Sequence, residues 1–442
     1  MDLSRPPQHI PESLEITAGI FKKAGYQCWL VGGAVRDGLL GKDSVDYDLA
    51  TDAEPEEVIK LFNRTVPTGI KHGTVTILLG GHQFETTTFR RDGKYSNGRH
   101  PESVAFSKNI LEDLSRRDFT INSIAWDLIN KKLYDPFNGI KDLENRIIRA
   151  IGVPEERFGE DGLRAIRACR FASQLGFTIE DKTLEGIKKT LHIIPSVSAE
   201  RKWEEIKKIL LSPAPATAFR LFLETGILEI IIPELVKTSE TAVSEDCGEN
   251  LFEHLLKTCS MSPENNLSVR AAALFHDCAL PSENHEEKSA EISGIILKRF
   301  KVSNAVLHSV THLIKHHSIN YNPEWNDADI RKFIYKVKQE NLENLFLLAE
   351  ADINSCSGGK KPEEMLGELK KRTDKIVGRK DPLDIKDLAV NGKDIISAGI
   401  TPGPDVGKTL DYLFNIVLEN PEYNKKEFLI KIISNNGKKI PG

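Results

Sequence analysis

A chain of 442 residues, 40% hydrophobic and 28% charged, is too long for one ordinary domain and carries enough apolar matter for several cores. No stretch approaches the ~18 consecutive apolar residues of a membrane-spanning helix, so a helical membrane anchor is not expected. The net charge of −5 hides basic runs at 90–100, 164–170 and 425–439, which fits a body that holds one polyanion at chosen places.

The first fifteen residues show no basic stretch followed by an apolar one, so no secretory signal is expected. Residues 11–25 read as a helix with Leu14, Ile20 and Phe21 turned inward. Trp29-Leu30-Val31 suits a buried strand, and Gly32-Gly33 forms a bend where backbone N–H groups can approach a phosphate closely. A short helix over 34–40 follows, with Gly41 as its stop. Asp46 and Asp48 then sit two apart, which on an extended strand sends both carboxylates to one face. Paired oxygen ligands beside a phosphate-cradling bend are what Mg²⁺-assisted phosphoryl transfer requires. Taken singly, each feature has a plainer reading, a turn in one case and a solvated strand edge in the other.

Pro55 to Phe62 reads as a helix, and Thr74 to Leu79 with Gln83 to Phe89 as two strands joined through Gly80-Gly81. Glu85 on the second strand is a candidate third carboxylate. Residues 91–101, RDGKYSNGRHP, have loop composition. Arg116 and Arg117 open a helix pattern whose apolar members are Phe119, Ile121, Ile124 and Ala125, and Asp135 to Gly139 is a turn. A helix is predicted from Glu160 to Leu175, closed by Gly176, with Asp161, Arg164, Arg167 and Arg170 at steps of three. Such steps leave neighbours about 60° apart, so Asp161 and Arg164 act together while Arg167 and Arg170 reach other groups. An Asp acceptor beside an Arg donor matches the amine and ring nitrogen that C and A share, and refuses the reversed pattern of U and G. Residues 196–211 form another helix, capped by Ser198, and every segment from 214 onward has helical periodicity. An α+β chain is expected, with an α/β head and an all-helical remainder.

The stretch VGGAVRDGLLG followed by DYDLAT resembles the nucleotidyltransferase signature of the DNA polymerase β superfamily. Its longer wording is similar to the class II tRNA nucleotidyltransferases and the bacterial poly(A) polymerases. HGTVTI followed by ETTTFR resembles the tRNA nucleotidyltransferase version, RRDFTIN its second motif, and EDGLR the EDxxR motif assigned to nucleotide selection. SVSAERKWEEI is similar to a block that braces the neck, although Arg201, Lys202 or Lys208 in it can also face nucleotide or RNA. The 389–407 segment resembles the tail with which these enzymes grip the tRNA elbow. The family's usual loop wording is close to YSDGRRP, so Asn97 and His100 depart from it.

The resemblance implies addition of the 3′-terminal CCA, or its terminal A, to tRNA from CTP and ATP. The alternatives are an A-adding specialist, a poly(A) polymerase, or a phosphohydrolase or RNA-binding protein whose head is inactive, a reading that the intact Asp46 and Asp48 oppose. It implies Mg²⁺ on Asp46 and Asp48, and binding of the nucleotide by Gly32, Gly33, Arg36, Arg116, Arg117, Asp118, Asp161, Arg164, Arg167 and Arg170. The tRNA 3′ end and elbow are the expected partners, with neither membrane nor partner protein. Modules are expected at 1–140 (catalytic head), 141–212 (neck), 213–375 (body) and 376–442 (tail). Six cysteines without a Cys-x-x-Cys pair point to reduced thiols in the cytoplasm.

In the body, His254, His276-Asp277, His285, His316-His317 and Asp352 resemble in order the HD metal-dependent phosphohydrolases. There, two His and two Asp bind the metal, which implies His254, His276, Asp277 and Asp352 here. Cys278-Ala279-Leu280 replaces the Ile-Gly-Lys that often follows the His-Asp pair in active members. A degenerate site, its histidines packed between helices, is therefore expected.

Overall fold

The computed structural model describes residues 10–44, 46–92, 104–243, 250–356 and 360–436. Most of the 91–101 loop, with Asn97 and His100, lies outside the described residues; Arg90–Asp92 form a short strand paired with Val104–Phe106. The chain divides into two compact units, Met1–Pro233 and Glu234–Gly442.

In the first unit a seven-stranded mixed sheet runs Thr65–Gly69, Thr74–Leu79, His82–Thr88, Tyr47–Thr51, Trp29–Val31, Ala125–Asp127, Lys132–Tyr134. Tyr47–Thr51 pairs parallel with His82–Thr88, and the other neighbours are antiparallel. Val31, Ala50, Phe89, Ile110, Leu114 and Ala125 form one core cluster against the sheet. Gly80 and Gly81, with φ of 59° and 80°, make the tight hairpin that a two-residue connection needs.

Three local expectations differ from what is observed. Residues 125–127 are a strand preceded by a short 3₁₀ turn at Thr120–Asn122, where a helix is predicted. The apolar residues are buried as expected, but Ala125, Trp126 and Asp127 are covered on both faces of an inner strand. Such a run carries no alternation to mark it as a strand. Thr65–Gly69 adds an edge strand that the sequence did not signal. Finally, the expected 160–175 helix is two helices, Pro154–Glu160 and Leu163–Leu175. Asp161 between them is extended, with φ −153° and ψ 108°. Its Oδ1 accepts from Leu163 N at 3.0 Å, which diverts the carboxylate into capping the second helix. The 60° argument therefore does not apply to Asp161, which is not on the arginine helix.

Ala199–Leu210 follows as a helix with Ser198 at the N-cap, although that hydroxyl makes no capping bond. Beyond residue 179 no strand occurs among the described residues. The second unit is helical. His254, His276 and Asp352 come from or flank the helices Leu251–Met261, Leu267–Phe275 and Leu342–Ser355. Nearer the end of the chain, Leu388, Ile395, Leu413, Phe414, Val417 and Leu429 pack into a separate core. Cys28, Cys169, Cys259 and Cys278 are free and buried, whereas Cys356 is disulfide-bonded, against the expectation of reduced thiols; Cys247 lies outside the described residues.

Candidate functional site

The strand–bend–helix from Trp29 to Leu39 places Gly32 where only a glycine fits. Its φ is 72°, and a Cβ there would stand 3.2 Å from a guanidinium nitrogen of Arg117 and 3.3 Å from Asp48 Oδ2. The missing side chain thus lets an arginine and a metal-type carboxylate flank the bend. Asp46 and Asp48 line the same cleft. Removal from bulk water raises the pKa of Asp48, and the charge of Asp46 adds to it, while Arg117 opposes both. Glu85 stands beside Asp48 in the parallel register of the adjacent strand. Desolvation and the Asp48 charge raise its pKa as well. Glu85 is not among the residues that line the cleft with Asp46 and Asp48, but it neighbours Asp48 across the strand pair.

That cleft is about 630 Å³ and belongs entirely to the first unit. Its walls include Gly33, Arg36, Arg116, Arg117, Asp118, Asp161, Arg164, Arg167 and Arg170, so the head and neck candidates meet in one place. Eight cationic side chains face six carboxylates across it, an excess that suits a polyphosphate.

Buried carboxylates aim the arginines. Asp113 is held by Arg116 at 2.7 Å and Arg117 at 3.2 Å. Burial pushes its pKa up, but the two guanidinium groups outweigh that and keep it low. Asp118 accepts from Arg167 Nε at 2.8 Å, Asn122 Nδ2 at 3.0 Å and the Phe119 backbone at 2.9 Å. Against the desolvation, Arg167 and Asn122 hold Asp118 far below the usual carboxylate range. Arg36 donates to Asn122 Oδ1 at 2.8 Å, and to Asp37 through two nitrogens at 2.8 and 2.9 Å.

The side chains of 161 and 164 do not pair with each other. Arg201 grips Asp161, at 2.6 Å between its Nη2 and Oδ2. Arg164 donates to the carbonyls of Arg157 at 2.8 Å and Arg116 at 3.0 Å, and to the Glu160 carboxylate. Arg170 is buried against Glu205, and Glu205 also lies 3.8 Å from Arg167.

Several residues in or behind the cleft wall escaped the sequence reading. Phe171 is the clearest, because Arg36, Arg167 and Arg170 lie 5.0, 5.3 and 4.0 Å from its ring centre. An aromatic flanked by arginines at helical spacing was a usable signal, masked by its fit to a core position. Asn122 and Glu205 gave none, since each acts through a partner distant in sequence.

In the second unit His254, His276, Asp277 and Asp352 converge, with pair distances of 3.2 to 3.9 Å between their nearest imidazole and carboxylate atoms.

Three family profiles match the chain: the poly(A) polymerase head domain over 28–149, the RNA- and SrmB-binding site of polymerase A over 176–238, and domain 2 of tRNA nucleotidyltransferase over 284–433. The CCA-adding enzyme of Lactobacillus helveticus is 34% identical over 93% of each chain. That of Lactobacillus johnsonii is 33% identical over 99% of this chain and 100% of its own. Among solved structures, the Bacillus stearothermophilus CCA-adding enzyme in complex with CTP superposes with a TM-score of 0.74 at 30% identity, over 97% of this chain and 100% of that one. A Thermotoga maritima CCA-adding enzyme complexed with tRNA shares the fold, with a TM-score of 0.60 at 18% identity over 97% of each chain.

Proposed function

The chain belongs to the family of CCA-adding enzymes, and from that premise we propose that it completes the 3′ end of tRNA. It adds C, C and A from CTP and ATP without a nucleic-acid template, releases pyrophosphate at each step, and works in the cytoplasm. One observation carries this reading: a single cleft gathers two carboxylates, a ring of arginines and the Asp161–Arg164 segment.

The donor set fits Mg²⁺. Asp46 and Asp48 offer hard oxygen ligands in close repulsion, and that repulsion adds to the raised pKa of Asp48 until a cation relieves it. Bound there, two Mg²⁺ ions supply activation of the tRNA 3′-hydroxyl and neutralisation of the departing pyrophosphate. The protein does the rest. Gly32 and Gly33 bring backbone N–H groups to the triphosphate, and Arg36, Arg116 and Arg117 bind its oxygens. Arg167 and Arg170 sit against Phe171 and hold phosphate or ribose. Asp161 and Arg164 read the edge of the base. Because Arg164 is committed to Glu160 and two carbonyls here, it must exchange those partners for the base when the nucleotide enters.

Transcripts of tRNA ending before CCA, after C and after CC, each given one nucleotide, test the reading. C on the first two and A on the third is the expected result. A on the third alone identifies an A-adding specialist, and A on unrelated RNA a poly(A) polymerase. Asp46→Ala and Asp48→Ala abolish incorporation; substantial residual activity removes the metal assignment.

A further inference from the structure

We infer that Asn122 is a positioning residue for the phosphate chain of the nucleotide, because its amide ties an arginine of the head to an arginine of the neck. The inference rests on the nucleotidyl-transfer reading and deepens it, by naming what makes two cations distant in sequence converge.

The direction of the amide is settled by its neighbours. A guanidinium only donates, so the side-chain oxygen faces Arg36, whose Nη1 donates to it at 2.8 Å. An ionised carboxylate only accepts, so Nδ2 faces Asp118 and donates to its Oδ1 at 3.0 Å. The other oxygen of Asp118 accepts from Arg167 Nε at 2.8 Å. A continuous path thus runs from Arg36 on the helix Gly33–Leu39, through the turn Thr120–Asn122, to Arg167 on the helix Leu163–Leu175. Arg36, Asn122 and Asp118 are all buried, so water does not readily replace a lost bond among them.

The bond to Asn122 decides how Arg36 is presented. Asp37 grips Nε and Nη2 at 2.8 and 2.9 Å. With Nη1 on Asn122, three of the five guanidinium N–H bonds are committed and the other two are left for a ligand. The group lies beside the glycine bend, since a Cβ on Gly33 would stand 3.7 Å from Arg36 Nη2. Arg36 and Arg167 also approach the ring of Phe171 to 5.0 and 5.3 Å, which brings two like charges together. Their repulsion favours splaying apart, and Asp118 offsets it only for the arginine it touches. The neutral amide extends the hold of that carboxylate to Arg36. It does so without a second negative charge, which would compete with phosphate for both arginines.

The test compares Asn122→Leu and Asn122→Asp with the parent, as full chains with Mg²⁺ present. Calorimetric titration measures affinity for CTP and for inorganic triphosphate, which has no base to be read. In Asn122→Leu both affinities should fall by the same factor, about 10–150-fold, the size of one lost hydrogen bond to a charged group. KM for CTP and ATP should rise together, and the preference for CTP over UTP should stay as it is in the parent.

Asn122→Asp keeps the shape and separates positioning from packing. The charges around it are Arg36 and Asp37 from the helix before, Asp118, and Arg164 and Arg167 from the neck helix. Asp142 meets the same turn through Thr120, with Arg149 bound to it. Two carboxylates this close share a proton, and the shared proton bonds Asp118 as the amide N–H does. The protonated form restores the link. Triphosphate affinity relative to the parent should therefore recover as the pH falls from about 8 toward 5, and be lost again as it rises. Asn122→Leu should show no recovery.

Circular dichroism and thermal unfolding show which variants are folded, and Asn122→Asp carries the test if Asn122→Leu is not. Triphosphate affinity equal to the parent's in Asn122→Leu, or in Asn122→Asp at the alkaline end, overturns the positioning role. A loss in Asn122→Asp that is the same at every pH overturns the amide as the donor that matters. Lost preference for CTP with triphosphate binding intact overturns it too, and places Asn122 against the base. A parent that binds neither CTP nor triphosphate overturns the nucleotidyl-transfer reading itself, and this inference with it.

Discussion

Asp161 gives its carboxylate to Arg201, forty residues downstream, and not to Arg164, three residues on. The contact fixes the acid that is proposed to read the base, because a carboxylate tethered at both oxygens cannot swing between hydrogen-bonding patterns. Arg201 is in these terms a positioning residue.

Replacing Arg201 by Ala should therefore harm selectivity more than turnover. A hydrogen bond to a charged group contributes about 1.5–3 kcal/mol, so discrimination of CTP over UTP should drop by roughly 10–150-fold. Arg201→Lys should recover part of it. Ratios of kcat/KM for the two nucleotides on one tRNA measure the effect. A uniform loss for both nucleotides would assign Arg201 to stability alone.

At Gly32, addition of one methyl group should be costly. In Gly32→Ala the Cβ meets Arg117 at 3.2 Å and Asp48 at 3.3 Å, on a backbone with φ of 72°. Backbone strain of this kind costs about 1–3 kcal/mol. Displacement of both groups should lower kcat for every nucleotide alike. Denaturant unfolding and single-turnover incorporation separate the two losses, whereas Gly81→Ala, a hairpin position with nothing within 4 Å of its Cβ, should show only the first.

Asp118 makes stability depend on acid. Its pKa in the folded chain lies far below that of the unfolded chain, because Arg167 and Asn122 favour the charged form against the pull of burial. Its contribution is therefore complete above the unfolded value of about 3.9 and fades as the pH falls through that value toward the folded one. Asp118→Asn breaks a buried pair and should cost about 3–5 kcal/mol at pH 7. The gap between variant and parent should narrow below about pH 4. Urea unfolding at successive pH values follows it; a gap independent of pH would contradict the assignment.

Phe171→Leu keeps an apolar side chain but removes the ring beside Arg36, Arg167 and Arg170. Each such cation–ring contact contributes about 0.5–2 kcal/mol. KM for CTP and ATP should rise together, with kcat changed less. Unequal effects on the two nucleotides would place the ring against the base instead.

Much of this site was legible because its chemistry is written locally. Asp46 and Asp48 two apart, the Gly32-Gly33 bend, and the arginine triplet at helical spacing all specify their geometry within a few residues. What was misread depended on competition between local and distant partners. The Asp161-Gly162 step is a turn signal, yet the arginine periodicity outweighed it, and the break follows from Asp161 capping the next helix. Ala125–Asp127 carried correct burial but no period, because an inner strand is covered on both faces.

By itself the sequence determined the acids, the bend, the order of strands and helices in most of the first unit, and the histidines and aspartates of the second. Only the tertiary structure decided which charges meet. It brought Arg201 to Asp161, Glu205 to Arg170, and His285 and His317 to the free oxygen of Asp277. The reason is physical: periodicity fixes the face on which a side chain stands, but the partner of a buried charge is set by which elements pack beside it, and that contact leaves no trace in the spacing of residues along the chain.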